Sequence, residues 1–299
     1  MTVPPRRPFS PVGLGFASHL LAGVLPFLSS GAIARLGLMR GTATLYIAGS
    51  IMLAASLASG RVRGWLRVET ATFVSRGTRQ TFLLGLAGFL AAGVAYYVGL
   101  ARTPRVAEYI FLTRLDWLVQ AAFAIVWLRE PWTRRGLAGA ALALAGGLTL
   151  AWSGAFGASG LAAAAIYILA SLVGYSSFKP LSALRGPEGA VVLTMWRHWI
   201  NTTGFVLLTL LLPVPGAGDV RAGLLLAVMA GVVIVVLFLL RFTALTGIPL
   251  WVLSAQAPTQ AIIAILVTVV TTGRLPIPTL GAIACIAAGE LMVASERRT

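Results

Sequence analysis

Residues Val106–Pro131 read VAEYIFLTRLDWLVQAAFAIVWLREP, and the rest of the chain is organised around them. The stretch is apolar enough to sit in hydrocarbon and long enough to cross it. It nevertheless carries Glu108, Arg114, Asp116 and Gln120. A charged side chain at mid-bilayer costs roughly 2.5–3.5 kcal/mol on insertion scales, so lipid exposure is excluded on cost. Such a group is kept where it faces a water-filled cavity or a partner helix.

The sequence on either side has the same character. The chain is 58% apolar and 10% charged, with a mean hydropathy of +0.91, whereas soluble domains carry about 25% charged residues. The deficit is spread along all 299 residues. Repeated apolar runs approach the ~20 residues that span a bilayer as a helix. The net charge of +15 does not indicate nucleic acid, because the basic residues punctuate the apolar runs as cytoplasmic loops do. No soluble module is long enough to bind nucleic acid. With Cys285 alone, no internal disulfide or cysteine metal site is expected. Two histidines supply no HExxH, and no GxxxxGK[ST] loop occurs. We therefore expect no metal, no cofactor and no enzyme.

Taken in order, the chain predicts ten transmembrane helices, an all-α integral membrane fold. They fall at about Val12–Ala34, Thr42–Ser59, Thr81–Leu100, Val106–Leu128, Gly136–Trp152, Gly160–Phe178, Val191–Leu212, Ala222–Leu240, Ile248–Thr271 and Thr279–Ala294. Residues 12–153 form a first five-helix repeat and 160–295 a second, with tails at 1–11 and 296–299. The loop with Arg61, Arg63, Arg67, Arg76 and Arg79 also holds Trp65, Val68 and Phe73, which suggests a segment on the membrane surface. Of the 23 basic residues, Arg114 and Arg197 fall within spans. Six (Arg35, Arg40, Arg102, Arg105, Arg221, Arg274) lie on one side and the other 15 on the other. That bias places both termini in the cytoplasm of a multi-pass protein. The near absence of lysine, Lys179 being the single one, suggests a bacterial genome and so the inner membrane.

The two halves share a weak layout. Shifted by 142 positions, Arg114 meets Gln256, Asp116 meets Pro258 and Glu130 meets Thr272. Phe27-Leu28-Ser29-Ser30 matches Tyr175-Ser176-Ser177-Phe178 in depth. Five helices is an odd number, so the second copy enters from the opposite face, giving inverted repeats. Leu128-Arg129-Glu130-Pro131-Trp132-Thr133 followed by Gly136–Leu150 resembles the end of the first half of a drug/metabolite transporter superfamily protein of the EamA type. Ala170–Lys179 resembles the start of the second half. Arg40 and Arg197 match an arginine often seen at the start of helices two and seven. Glu108–Trp117 resembles the aromatic amino-acid exporters of that superfamily. The sequence departs where a proline is usual in helix four, at Asp116-Trp117, and where a second-half glutamate is usual, at Thr272-Gly273. The resemblance implies a secondary transporter that exports a small organic metabolite such as an amino acid. The expected partners are that substrate and the lipid bilayer, with proton coupling and a homodimer both open. An intramembrane enzyme on a lipid-linked substrate is the alternative, and it needs polar residues clustered at one interface.

On a helix, Leu112, Asp116, Gln120 and Phe123 share a face, while Arg114 lies about 200° from Asp116. Asp116 then binds a substrate cation or a proton, and Arg114 meets a substrate carboxylate or a counter-charge; the competing reading is an ion pair to another helix. Pro258 frees a carbonyl and with Gln256 and Gln260 forms either a polar substrate contact or a plain kink. Tyr96, Tyr97, Trp117 and Tyr175 line a cavity or simply pack. His19 is a proton relay or a hydrogen-bonded core residue. Arg197-His198 is expected to snorkel to the cytoplasmic interface. Glu130 is expected to pair with Arg134, and Glu290 with the terminal arginines.

Overall fold

A computed structural model describes residues 10–102, 109–110, 113, 116–151, 158–212, 218–257, 259–272, 281, 284–285, 288–289 and 292. Among them the elements are all helices: α1 (Pro11–Leu36), α2 (Leu38–Ser56), α3 (Gly60–Phe73), α4 (Arg79–Arg102), α5 (Asp116–Val126), α6 (Arg134–Ala151), α7 (Ala158–Leu211), α8 (Val220–Leu245), α9 (Leu250–Ala255) and α10 (Thr259–Thr272). Five are long and apolar enough to cross a membrane: Pro11–Leu36, Leu38–Ser56, Arg79–Arg102, Ala162–Leu211 and Val220–Leu245. The chain is thus an all-α membrane protein. Its outward surface is correspondingly apolar, with Ile51, Leu169, Leu210 and Leu225 exposed. Arg114, Pro258, Glu108 and Glu290 lie outside the described residues.

The helix starts follow local chemistry. Ser10 caps α1, its Oγ accepting from the Gly13 N–H at 3.0 Å, with Pro11 at the first helical position. Asp219 caps α8, its Oδ1 accepting from the N–H groups of Arg221 and Ala222. The anticipated gap between the first two helices shrinks to one residue, Gly37 (φ 84°, ψ 158°), a conformation that needs no side chain.

Helix α7 covers 54 residues, about 80 Å at 1.5 Å per residue, which no bilayer accommodates in one pass. Gly186 breaks it (φ 62°, ψ −152°), and Pro187 opens the second arm in the pre-set helical φ. The two arms are antiparallel, because both lie along α4 in opposite senses. In the first arm Gly85 faces Phe178 and Gly88 faces Gly174. In the second, Phe82 meets Trp196 and Gly93 meets Asn201. The first arm therefore passes beyond the predicted stop at Lys179-Pro180. Two contacts hold that extra turn. Lys179 Nζ donates to the carbonyls of Leu245 (2.8 Å) and Ile248 (2.6 Å). Arg185 donates twice to the Glu69 carboxylate, at 2.6 and 2.8 Å.

Helix α8 runs antiparallel to α1, with Gly223 against Leu36 and Arg241 against Ser18. It runs parallel to α2, with Gly231 on the Leu45 carbonyl and Val235 beside Leu53. The basic loop after α2 folds as α3, whose arginines are exposed. Phe73 is not at the surface: it is fully buried and stacks on Phe82 at 5.6 Å. Glu69 is buried too, and its two carboxylate oxygens take both Arg185 hydrogen bonds. Trp196 Nε1 donates to Thr70 Oγ1 at 2.8 Å and completes the tie.

The predicted ninth helix is not continuous. It divides into α9 and α10 around a turn at Gln256-Ala257. Glu130 does not serve as a partner of Arg134. Its Oε2 accepts from the Trp251 N–H at 3.3 Å, at the start of α9, and Thr133 Oγ1 caps α6 by accepting from Gly136 N at 3.1 Å. The described residues 281, 284, 285, 288, 289 and 292 are helical, and Gly289 lies against Gly139 and Ala143 of α6.

Two substitutions test this packing. A Cβ at Gly88 falls 2.7 Å from Gly174 N and 2.9 Å from Ala170 O, both backbone. Gly88→Ala should destabilise by about 1–3 kcal/mol, whereas Gly64→Ala, with nothing within 4 Å, should be neutral or stabilising by up to about 1 kcal/mol. Thermal midpoints in detergent that move alike would refute the close approach. Glu69→Gln should cost about 1 kcal/mol, the value for a half-exposed pair, and should speed protease cleavage within α3. Unchanged cleavage would mean that the pair does not hold α3.

Candidate functional site

Polar side chains from six helices meet around Asp116, the first residue of α5. Asp116 Oδ2 accepts from Gln120 Nε2 (3.2 Å), Tyr167 OH (3.2 Å) and Ser171 Oγ (3.3 Å). The one-turn spacing of Asp116 and Gln120 puts both on the face turned to the first arm of α7. Gln120 Oε1 in turn accepts from Ser254 Oγ of α9 at 3.4 Å.

His19 of α1 is the second node. Its Nε2 lies 2.9 Å from the Leu253 carbonyl. A carbonyl only accepts, so Nε2 carries the proton. Its Nδ1 lies 3.2 Å from Arg241 Nη2, and a guanidinium only donates, so Nδ1 is the bare nitrogen and the ring is neutral. Gln260 Nε2 also reaches Nδ1. Arg241 further donates from Nη1 to Tyr175 OH (2.7 Å) and from Nε to Ser18 Oγ (3.4 Å).

Two chambers adjoin these groups. The smaller, about 20 Å³, is lined by His19, Asp116, Trp117, Gln120, Tyr175 and Arg241, among others. That is room for one or two waters. The larger, about 70 Å³, is bounded by Tyr46, Phe89, Tyr96, Tyr97, Tyr167, Tyr175, Arg197, Phe238 and Arg241 with small and aliphatic residues between them. It has room for on the order of five waters. Tyr175 and Arg241 border both, so their 2.7 Å hydrogen bond lies where the chambers adjoin. The aromatic wall is continuous: Tyr96 packs on Tyr97 (5.2 Å) and Tyr167 (5.4 Å), and Tyr46 on Tyr97 (6.1 Å).

The structure brings together most of the residues singled out in the sequence. Asp116, Trp117, Gln120 and His19 border the smaller chamber, Tyr96 and Tyr97 the larger, and Tyr175 both. Gln260 reaches the site through His19. Gln256 is buried against Gly15 and borders neither chamber; among the described residues its amide atoms have no hydrogen-bond partner. Arg114 and Pro258 fall outside the described residues.

Two arginines were misplaced by sequence reasoning. Arg197 does not snorkel: it is 5% exposed, and its guanidinium carbon stands 3.2 Å from the Phe238 ring centroid. Arg241, counted with the loop charges, is 6% exposed. Tyr46, Tyr167 and Ser171 also belong to the site. The available signals were the spacing of Tyr167, Ser171 and Tyr175 at one helical turn, and an arginine inside an apolar run at position 241.

No family model and no curated protein matches the chain. Among solved structures, one described only as "Crystal structure of protein" superposes with a TM-score of 0.74 at 21% identity. The match covers 95% of this chain and 98% of that one. At that identity the likeness is one of fold.

Proposed function

We propose that the chain is a secondary transporter of the drug/metabolite type, carrying a small organic metabolite outward by alternating access. In this reading it has ten spans in two inverted five-helix repeats, with both termini in the cytoplasm. The observation that carries the reading is a pair of adjoining chambers inside an apolar bundle, bordered by Asp116, His19, Arg197 and Arg241. Ionisable groups at such depth mark substrate or ion pathways.

The packing supports the repeat. The antiparallel contact of α1 with α8 has a counterpart in that of the first α7 arm with α4. The second α7 arm lies antiparallel to α2, with Ser50 Oγ 2.7 Å from Thr202 Oγ1 and Leu53 beside Met195. The interrupted α9–α10 supports it also, since broken helices present backbone groups to sites at repeat interfaces. Polar residues here converge in the interior and not at one face, which disfavours an enzyme on lipid-linked substrates.

Reconstituted vesicles and a labelled set of amino acids, organic acids, amines and nucleosides test the proposal. At least one compound should equilibrate across the vesicle membrane faster than in protein-free vesicles. Asp116→Asn, which removes the charge that three donors serve, should slow that flux by roughly tenfold or more. Flux of no compound in the set would sink the transporter reading. Unchanged flux in Asp116→Asn would remove Asp116 from the pathway.

A further inference from the structure

Arg197 has a combination of features unusual for a structural arginine. It is 5% exposed, and its Nε and Nη1 have no hydrogen-bond partner among the described residues. Its guanidinium lies over Phe238, 3.2 Å from the centroid, and 5.3 Å from that of Phe89. Stacking satisfies the flat face of the cation; Tyr46 hydrogen-bonds the guanidinium, and Nε and Nη1 are the donors left unserved among the described residues. Arg197 borders the larger chamber. An unpartnered buried donor is destabilising, and more so when it is charged.

Arg241 borders the same chamber, its guanidinium carbon 5.7 Å from the same Phe238 centroid. Given the 3.2 Å distance of Arg197 to that ring, the two cations lie within about 9 Å of each other. The hydrogen bonds of Arg241 go to Tyr175, Ser18 and His19, all of which accept in neutral form. Among the described residues neither arginine has a carboxylate within ion-pair distance. Asp116 borders the smaller chamber, and its Oδ2 already accepts three hydrogen bonds. Among the described residues, counting Asp116 against both arginines leaves one positive charge more than negative.

We infer that the larger chamber takes an organic anion: a carboxylate or like group on Arg197, with its apolar part against the tyrosine and phenylalanine wall. This rests on the transporter reading for its biological sense, though not for its chemistry. The bidentate geometry of a guanidinium edge suits a planar oxyanion. The unserved Arg197 donors, with a second arginine on the same chamber and no carboxylate among its described lining, select a net anion over a zwitterion, a neutral amide or a cation of the same shape.

Thermal-shift and isothermal titration on the purified full chain test it, with benzoate, phenylacetate, phenylpyruvate and hexanoate as anions. Benzamide, phenylalanine and benzylamine serve as the neutral, zwitterionic and cationic probes. At least one anion should bind, and each of the other three should bind roughly tenfold or more weakly than that anion. Arg197→Gln should weaken the anion by roughly 10- to 100-fold, and Arg197→Lys should recover part of the loss. Monodispersity on size exclusion separates loss of binding from loss of fold, and the comparison among probes on the unaltered chain needs no variant. Binding of no anion, equal binding of phenylalanine or benzylamine, or unchanged anion binding in a folded Arg197→Gln would each overturn the inference. Vesicle flux distinguishes this failure from that of the transporter reading. An anion that binds through Arg197 but never crosses leaves the site and removes transport. A cation or neutral compound that crosses independently of Arg197 does the reverse.

Discussion

The hydrogen bonds of Arg241 are the interaction on which the interior depends. In hydrocarbon no water serves a stray donor, so a buried guanidinium needs its partners from protein. Arg241, itself on α8, finds them on two other elements at once: Ser18 and His19 on α1 and Tyr175 on the first arm of α7. Separation of any of these helices would strand a charge at several kcal/mol. The same contacts set the Tyr175 hydroxyl and the His19 ring on the borders of the chambers. One cation thus fastens the bundle and shapes its interior.

Small residues make that convergence possible. Between apolar helices in lipid there is little hydrophobic drive, so close packing does the work. Gly88 brings α4 onto the backbone of the first α7 arm, and Gly231 brings α8 onto that of α2. With those backbones nearly touching, the larger aromatic and charged side chains fill the centre. The result is a bundle that is tight at its seams and hollow where Tyr96, Tyr97 and Arg197 stand.

Much of this was legible in the sequence because it is local. Asp116 and Gln120 are one turn apart, so a helix wheel places them together. An apolar run of bilayer length with capping residues identifies a helix without reference to any partner. What escaped was non-local. Arg241 ends a long apolar run, and hydropathy reads such a residue as a loop charge; the helix in fact continues to Leu245. Lys179-Pro180 looks like a stop, yet the helix continues: Lys179 finds the carbonyls of Leu245 at the end of α8 and of Ile248 just beyond it, and Arg185 finds Glu69. Arg197 beside Trp196 and Trp199 reads as an interfacial cluster, whereas the rings of Phe238 and Phe89 from other helices lie against it in the interior. In each case the deciding partner is far away in sequence, and spacing carries no trace of it.

The break between α9 and α10 links backbone geometry to side-chain chemistry. In an uninterrupted helix the Leu253 carbonyl would accept from the N–H four residues on. Here the turn at Gln256-Ala257 redirects that ladder: Ala257 N bonds to Ser254 O and Gln256 N to Leu253 O. The second lone pair of the Leu253 carbonyl is left facing α1, where His19 Nε2 donates to it. That bond fixes the proton on Nε2 and leaves Nδ1 bare for Arg241, which then aims its other amino group at Tyr175. The tautomer of one histidine and the wall between two chambers therefore follow from where a helix stops. Arg241 and Gln260, both at Nδ1, favour the same tautomer from the other side of the ring. The helix end and the buried cation are thus joined through one histidine ring.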